Sequence, residues 1–125
     1  MAINQAAIMD LDQAIERHAQ WKIKFRQAIT NKETMDADTI AKDNCCELGK
    51  WLHGDAKTKF GHLASQKECI TKHAAFHTEA GKVAKTINAK NFTEATAMIE
   101  SGTPYATASH AVAVAITKLK KESGL

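Results

Sequence analysis

A chain of 125 residues, 44% of them hydrophobic and 25% charged, has the make-up of an ordinary globular domain and is long enough to bury a core of its own. Its net charge of +3 is spread along the chain with acids interleaved, and no basic block carries stacking aromatics, which argues against a nucleic-acid partner. No run approaches the roughly 18 apolar residues of a membrane span, and no leader pattern opens the chain, so the expectation is one cytoplasmic domain over 1–125 with no membrane partner.

Six glycines, one proline and abundant alanine favour helices over strands. From about Asn4 to Ile29, Ile8, Leu11, Ile15, His18, Trp21, Phe25 and Ile29 recur in three- and four-residue steps, which predicts one long amphipathic helix. The polar Thr30-Asn31-Lys32-Glu33 should end it. A second helix is expected from Asp36-Ala37-Asp38, whose acids suit a helix N-terminus, through Ile40 and Cys46 to His53. Gly49 is awkward inside it and points to a close backbone approach or a break. Asp55 to Gly61 reads as a connection with weak helical character.

The third helix, about His62 to Asn88, carries Leu63, Ile70, Ala80, Ala84 and Ile87 on one face, with His73 and His77 in the middle of that stripe. After a turn at Asn88-Ala89-Lys90-Asn91, Phe92, Ala95, Met98 and Ile99 mark a short helix ending near Gly102. Pro104 opens the last, along which Tyr105, Ala108, Val112, Ile116 and Leu119 recur. Helices joined by short turns make the fold class all-α, an antiparallel four-helix bundle with a short additional helix.

An unpartnered polar group costs about 1–3 kcal/mol to bury, and two imidazoles one turn apart call for a shared partner. A metal ion is the simplest. Neutral imidazole and thiolate are the preferred ligands of tetrahedral zinc. The core-facing candidates are His18, His73, His77 and a cysteine. Cys46 is favoured over Cys45 because Leu48, Trp51 and Leu52 can pack inward and fix its direction. Cys69, four residues before His73, is its rival. Each residue also has a plainer reading, as a hydrogen-bonded core histidine or a small buried hydrophobe. His53, His62 and His110 lack helical partners and read as surface residues. Three cysteines, two of them adjacent, form no disulfide framework.

The order His18-Ala19-Gln20-Trp21, Cys46-Glu47-Leu48-Gly49-Lys50-Trp51 and His73-Ala74-Ala75-Phe76-His77 resembles the chemoreceptor zinc-binding (CZB) domain of bacterial cytoplasmic chemoreceptors and diguanylate cyclases. The resemblance covers essentially the whole chain. It implies that His18, Cys46, His73 and His77 bind Zn2+ within a homodimeric four-helix bundle. Cys45 and Cys69 stand outside the family pattern.

Four protein ligands leave no open position for a substrate water, so the expectation is a sensory domain and not an enzyme. Its input would be zinc availability or oxidation of Cys46, and its output chemotaxis or cyclic-di-GMP signalling through a partner domain or protein. The rival readings are a di-iron bundle, a thiol redox module and a metal-free helical dimerisation module. A homodimer is also motivated by apolar surface: Tyr105, Val112, Ile116 and Leu119, with Ile8 and Leu11, exceed what one small bundle obviously needs.

Overall fold

A computed structural model describes residues 9–125, which are all-α: no strand occurs among them. The helices are α1 (Leu11–Ala19), α2 (Trp21–Asn31), α3 (Ala37–Ile40), α4 (Glu47–His53), α5 (Asp55–Phe60), α6 (Ala64–Asn88), α7 (Phe92–Met98) and α8 (Pro104–Ser123). Helix α6 lies at the centre of the bundle, packed against α8 and also against α2, α3, α4, α5 and α7. Helix α1 closes over α8.

The expected first helix begins at Leu11, where the Asp10 carboxylate accepts from Gln13 N–H at 3.0 Å; residues 4–8 of the expectation lie outside the described residues. Between α1 and α2, Gln20 keeps a right-handed helical backbone and still bonds Glu16 and Lys24, so the two form one arm. The arm stops at Asn31, with Lys32 in the left-handed region at φ 55°. Pro104 occupies the first turn of α8, whose N-terminus is capped by the Thr103 hydroxyl.

The second expected helix is two. After α3, capped by Asp36, the chain leaves the helical path from Ala41 to Cys46 and restarts as α4. Cys46 makes the restart, its sulfur accepting from Gly49 N–H at 3.3 Å. The backbone of Asp43 and Asn44 then lies against Gly49, so closely that a Cβ there would stand 1.6 Å from the Asp43 carbonyl oxygen. In a continuous helix residues six apart are separated by about 9 Å of rise and never meet. Close approach and break are therefore the same event. The stretch read as a connection is helix α5, anchored by the fully buried Ala56, and the third helix starts at Ala64 rather than His62.

Phe25, Leu52, Phe76, Ile87, Ile99, Ile116 and Leu119 fill the core. The described apolar residues expected to form a homodimer face are instead part of the chain's own core. Leu11, Tyr105, Val112, Ile116 and Leu119 are all buried within the chain, and Ile8 lies outside the described residues. No helix among the described residues is long and apolar enough to cross a membrane.

Candidate metal centre

Four donor atoms meet where α1, α4 and α6 converge. His18 comes from the last turn of α1, Cys46 caps α4, and His73 and His77 stand one turn apart on α6. One donor atom from each lies within 4.8 Å of every other. His73 Nε2 is the centre of the group, 3.0 Å from His77 Nε2, 3.1 Å from His18 Nε2 and 3.2 Å from Cys46 Sγ. Cys46 Sγ stands 3.6 Å from His77 Nε2. Metal–nitrogen bonds near 2.0–2.1 Å and a metal–sulfur bond near 2.3 Å place the corners of a tetrahedron about 3.3 Å (N–N) and 3.6 Å (N–S) apart. The four spacings given lie close to those edges, and the two remaining pairs, both of them from His18, lie within 4.8 Å.

Hydrogen bonds on the far side of the rings fix two tautomers. His18 Nδ1 is 2.7 Å from the Ala14 carbonyl oxygen and His77 Nδ1 is 2.8 Å from that of Ile40. A carbonyl only accepts, so each Nδ1 carries the proton and each Nε2 turns a bare lone pair toward the centre. His73 Nδ1 is buried without a partner. A proton on His73 Nε2 satisfies only one of its three neighbours, so the cluster holds more lone pairs than protons.

Extra protons do not balance it. Burial is the main cause that pushes His18 down to about 4; the Ala14 carbonyl opposes it and the His77 charge adds to it. Burial likewise depresses His73, reinforced by the charges of His77 and His18, and it lowers His77 against the pull of the Ile40 carbonyl and Asp43. Burial raises the Cys46 thiol, opposed by the Gly49 N–H. Four neutral donors around one point fit a divalent cation, and the soft thiol with three imidazoles is the donor set of zinc.

A family model of the chemoreceptor zinc-binding domain matches residues 18–84. The chain belongs to the chemoreceptor zinc-binding domain family. The match opens on His18 and encloses Cys46, His73 and His77, the residues that the fold assembles. Neither a curated protein nor a solved structure matches the chain.

The other CZB residues with ligand chemistry lie elsewhere. Cys69 is fully buried in the apolar core, its thiol pushed up to about 12 by burial, and is not in the cluster. Cys45 is exposed, its sulfur 3.6 Å from the Asn44 side chain. His53, His62 and His110 are exposed, and His53 meets Asp43 at 2.9 Å. No carboxylate belongs to the cluster, which sets it apart from di-iron sites. Sequence reasoning missed the two supporting carbonyls. Ala14 stands one turn before His18 and was legible in principle, whereas Ile40 reaches His77 only through the tertiary fold.

Proposed function

We propose that this CZB domain is a regulatory zinc-binding domain whose ligands are His18, Cys46, His73 and His77. The reading holds that it responds to zinc availability or to oxidation of Cys46 and so controls chemotaxis or cyclic-di-GMP output. The observation that carries it is the convergence of three imidazole nitrogens and one thiol, two of the rings being oriented by backbone carbonyls. Bound zinc supplies the positive charge that keeps the Cys46 sulfur deprotonated. Helix α6 holds the rigid half of the site, and Cys46 ties the irregular 41–46 segment to it.

Both inputs act on that tie. Falling zinc leaves Cys46 protonated and unbound. Hypochlorous acid takes an electron pair from the thiolate, forming a sulfur–oxygen bond and releasing chloride, and the resulting sulfenic acid is a poor ligand. Either event frees the 41–46 segment, which in this reading passes the signal to an output domain or protein. Four protein ligands leave no place for a substrate water, which supports regulation over catalysis. The homodimer rests on the family resemblance alone, and light scattering at micromolar concentration tests it.

Elemental analysis of protein purified without chelator is expected to find one zinc per chain; an absence of zinc, or two irons, would overturn the reading. Zinc release is then followed with a chromogenic chelator during addition of hypochlorous acid. Cys46→Ala should bind zinc more weakly, with three imidazoles remaining, and should lose the oxidant response. Cys69→Ala should keep both properties of the parent. If Cys69→Ala is the variant that loses the response, the ligand assignment is wrong.

A further inference from the structure

The donor residues are unequally sealed. His73, His77 and His18 are 0%, 2% and 5% exposed, whereas Cys46 is half-buried. A cleft of about 700 Å3 runs between the α1–α2 arm and α4–α5, and both His18 and Cys46 line it. Neither His73 nor His77 does. A smaller cleft of about 410 Å3, on the α8 side, reaches His18 but no other donor. The larger cleft is thus the side from which two donors, the thiol among them, can be approached together.

One contact spans that cleft. Arg17 Nη1 meets Glu47 Oε2 at 2.7 Å, and both residues line the cleft. Arg17 immediately precedes His18 and Glu47 immediately follows Cys46, so the pair joins the two backbone segments that supply the donors from outside α6. The two side chains are 51% and 73% exposed. Exposed pairs of this kind hold weakly and are screened by salt. They can close a passage without sealing it.

We propose that the Arg17–Glu47 ion pair is a latch across the route by which the metal ion, and any reagent that attacks Cys46, enters and leaves the site. The inference rests on the zinc reading above. Neither residue belongs to the donor set, and the latch can close over the filled and the empty site alike. It therefore governs how fast the ion exchanges and not how tightly it is held.

The test is the rate of zinc transfer to a chromogenic chelator, with affinity measured separately by competition. Arg17→Ala and Glu47→Ala are each expected to speed release about threefold to fivefold and to leave the dissociation constant within about twofold. The charge-swapped pair, Arg17→Glu with Glu47→Arg, should return release to the parent rate. Raising the ionic strength should quicken the parent and leave Arg17→Ala unmoved. Lys22→Ala, on the wall of the smaller cleft, should behave as the parent. A second readout needs no metal: in chelator-treated protein, N-ethylmaleimide should label Cys46 faster in the single variants, with exposed Cys45 as the internal reference, both read by peptide mass spectrometry. Unchanged release and labelling in Arg17→Ala and Glu47→Ala would overturn the proposal, as would acceleration by Lys22→Ala alone. A parent chain that takes up no zinc would instead defeat the functional reading, and the labelling rates would still judge the latch.

Discussion

Gly49 supplies no donor atom and meets the cluster only through its N–H, 3.3 Å from Cys46 Sγ, yet the site depends on its missing side chain. A Cβ at this position would overlap the Asp43 carbonyl oxygen at 1.6 Å and press on Asn44 Cα at 3.2 Å, both of them backbone. The segment that would have to move is the one that presents Cys46. Forcing volume into a packed position costs about 1–3 kcal/mol. Gly49→Ala is therefore expected to weaken zinc binding by about tenfold in chelator competition, although it alters no ligand; affinity equal to the parent's would refute this. At this scale much was legible, because His73 and His77 share a helix face and three short motifs name the rest. Cys69 shows the boundary. Periodicity places it on the buried face beside His73, but only the fold reveals that its sulfur joins the apolar core and not the donor cluster.

Among the elements, α3 and the following 41–46 stretch are held to α6 at several points. The Ile40 carbonyl accepts from His77 Nδ1, Cys46 Sγ lies against His73 and His77, and Ala41 packs on Gly81, where a Cβ would come within 2.6 Å of the Ala41 side chain. The first two of these pass through the donor histidines. Removing zinc is thus expected to raise amide exchange in residues 37–49 well before the α6–α8 core, as read by mass spectrometry; uniform exchange across the chain would contradict it. This segment was also where sequence reasoning fell short. Helix starts are recognised by Ser, Thr, Asp or Asn caps, and here a cysteine sulfur does that work. The apolar spacing from Ile40 to Trp51 bridged the gap and gave one helix in place of two.

For the molecule as a whole, the buried donors couple folding, protons and metal. His18 titrates near 4 in the fold against an ordinary 6.5, and burial lowers His73 and His77 in the same direction. The unfolded chain therefore binds protons that the fold refuses. Metal-free protein keeps its full stability above about 6.5 and loses it as the pH falls toward 4, by roughly 3 kcal/mol for His18 alone. Melting temperatures of chelator-treated protein between pH 7 and 5 should decline accordingly, and a flat profile would count against the buried neutral imidazoles. Zinc binding should release about one proton, from the raised Cys46 thiol and not from the imidazoles; calorimetry in buffers of different ionisation enthalpy measures it. The all-α fold was readable from periodicity and from scarce glycine and proline. An apolar stripe on α8 looks the same in the sequence whether its own chain or a second copy covers it, and here the chain's own helices cover it.

The donors are also far apart along the chain, and that bears on the order in which the protein folds. His73 and His77 come together with a single turn of α6, whereas Cys46 lies 27 residues and His18 55 residues from His73. Closing loops of such lengths is an entropic cost that rises only slowly with length, by about 0.6 kcal/mol per doubling. An ion caught first by the helical pair gives the two distant segments a common point to be captured on, before the bundle has packed. Zinc present during refolding should therefore steepen recovery from denaturant as well as delay unfolding. Stopped-flow traces with and without the ion decide it: if only the unfolding rate responds, the ion joins after the barrier has been crossed.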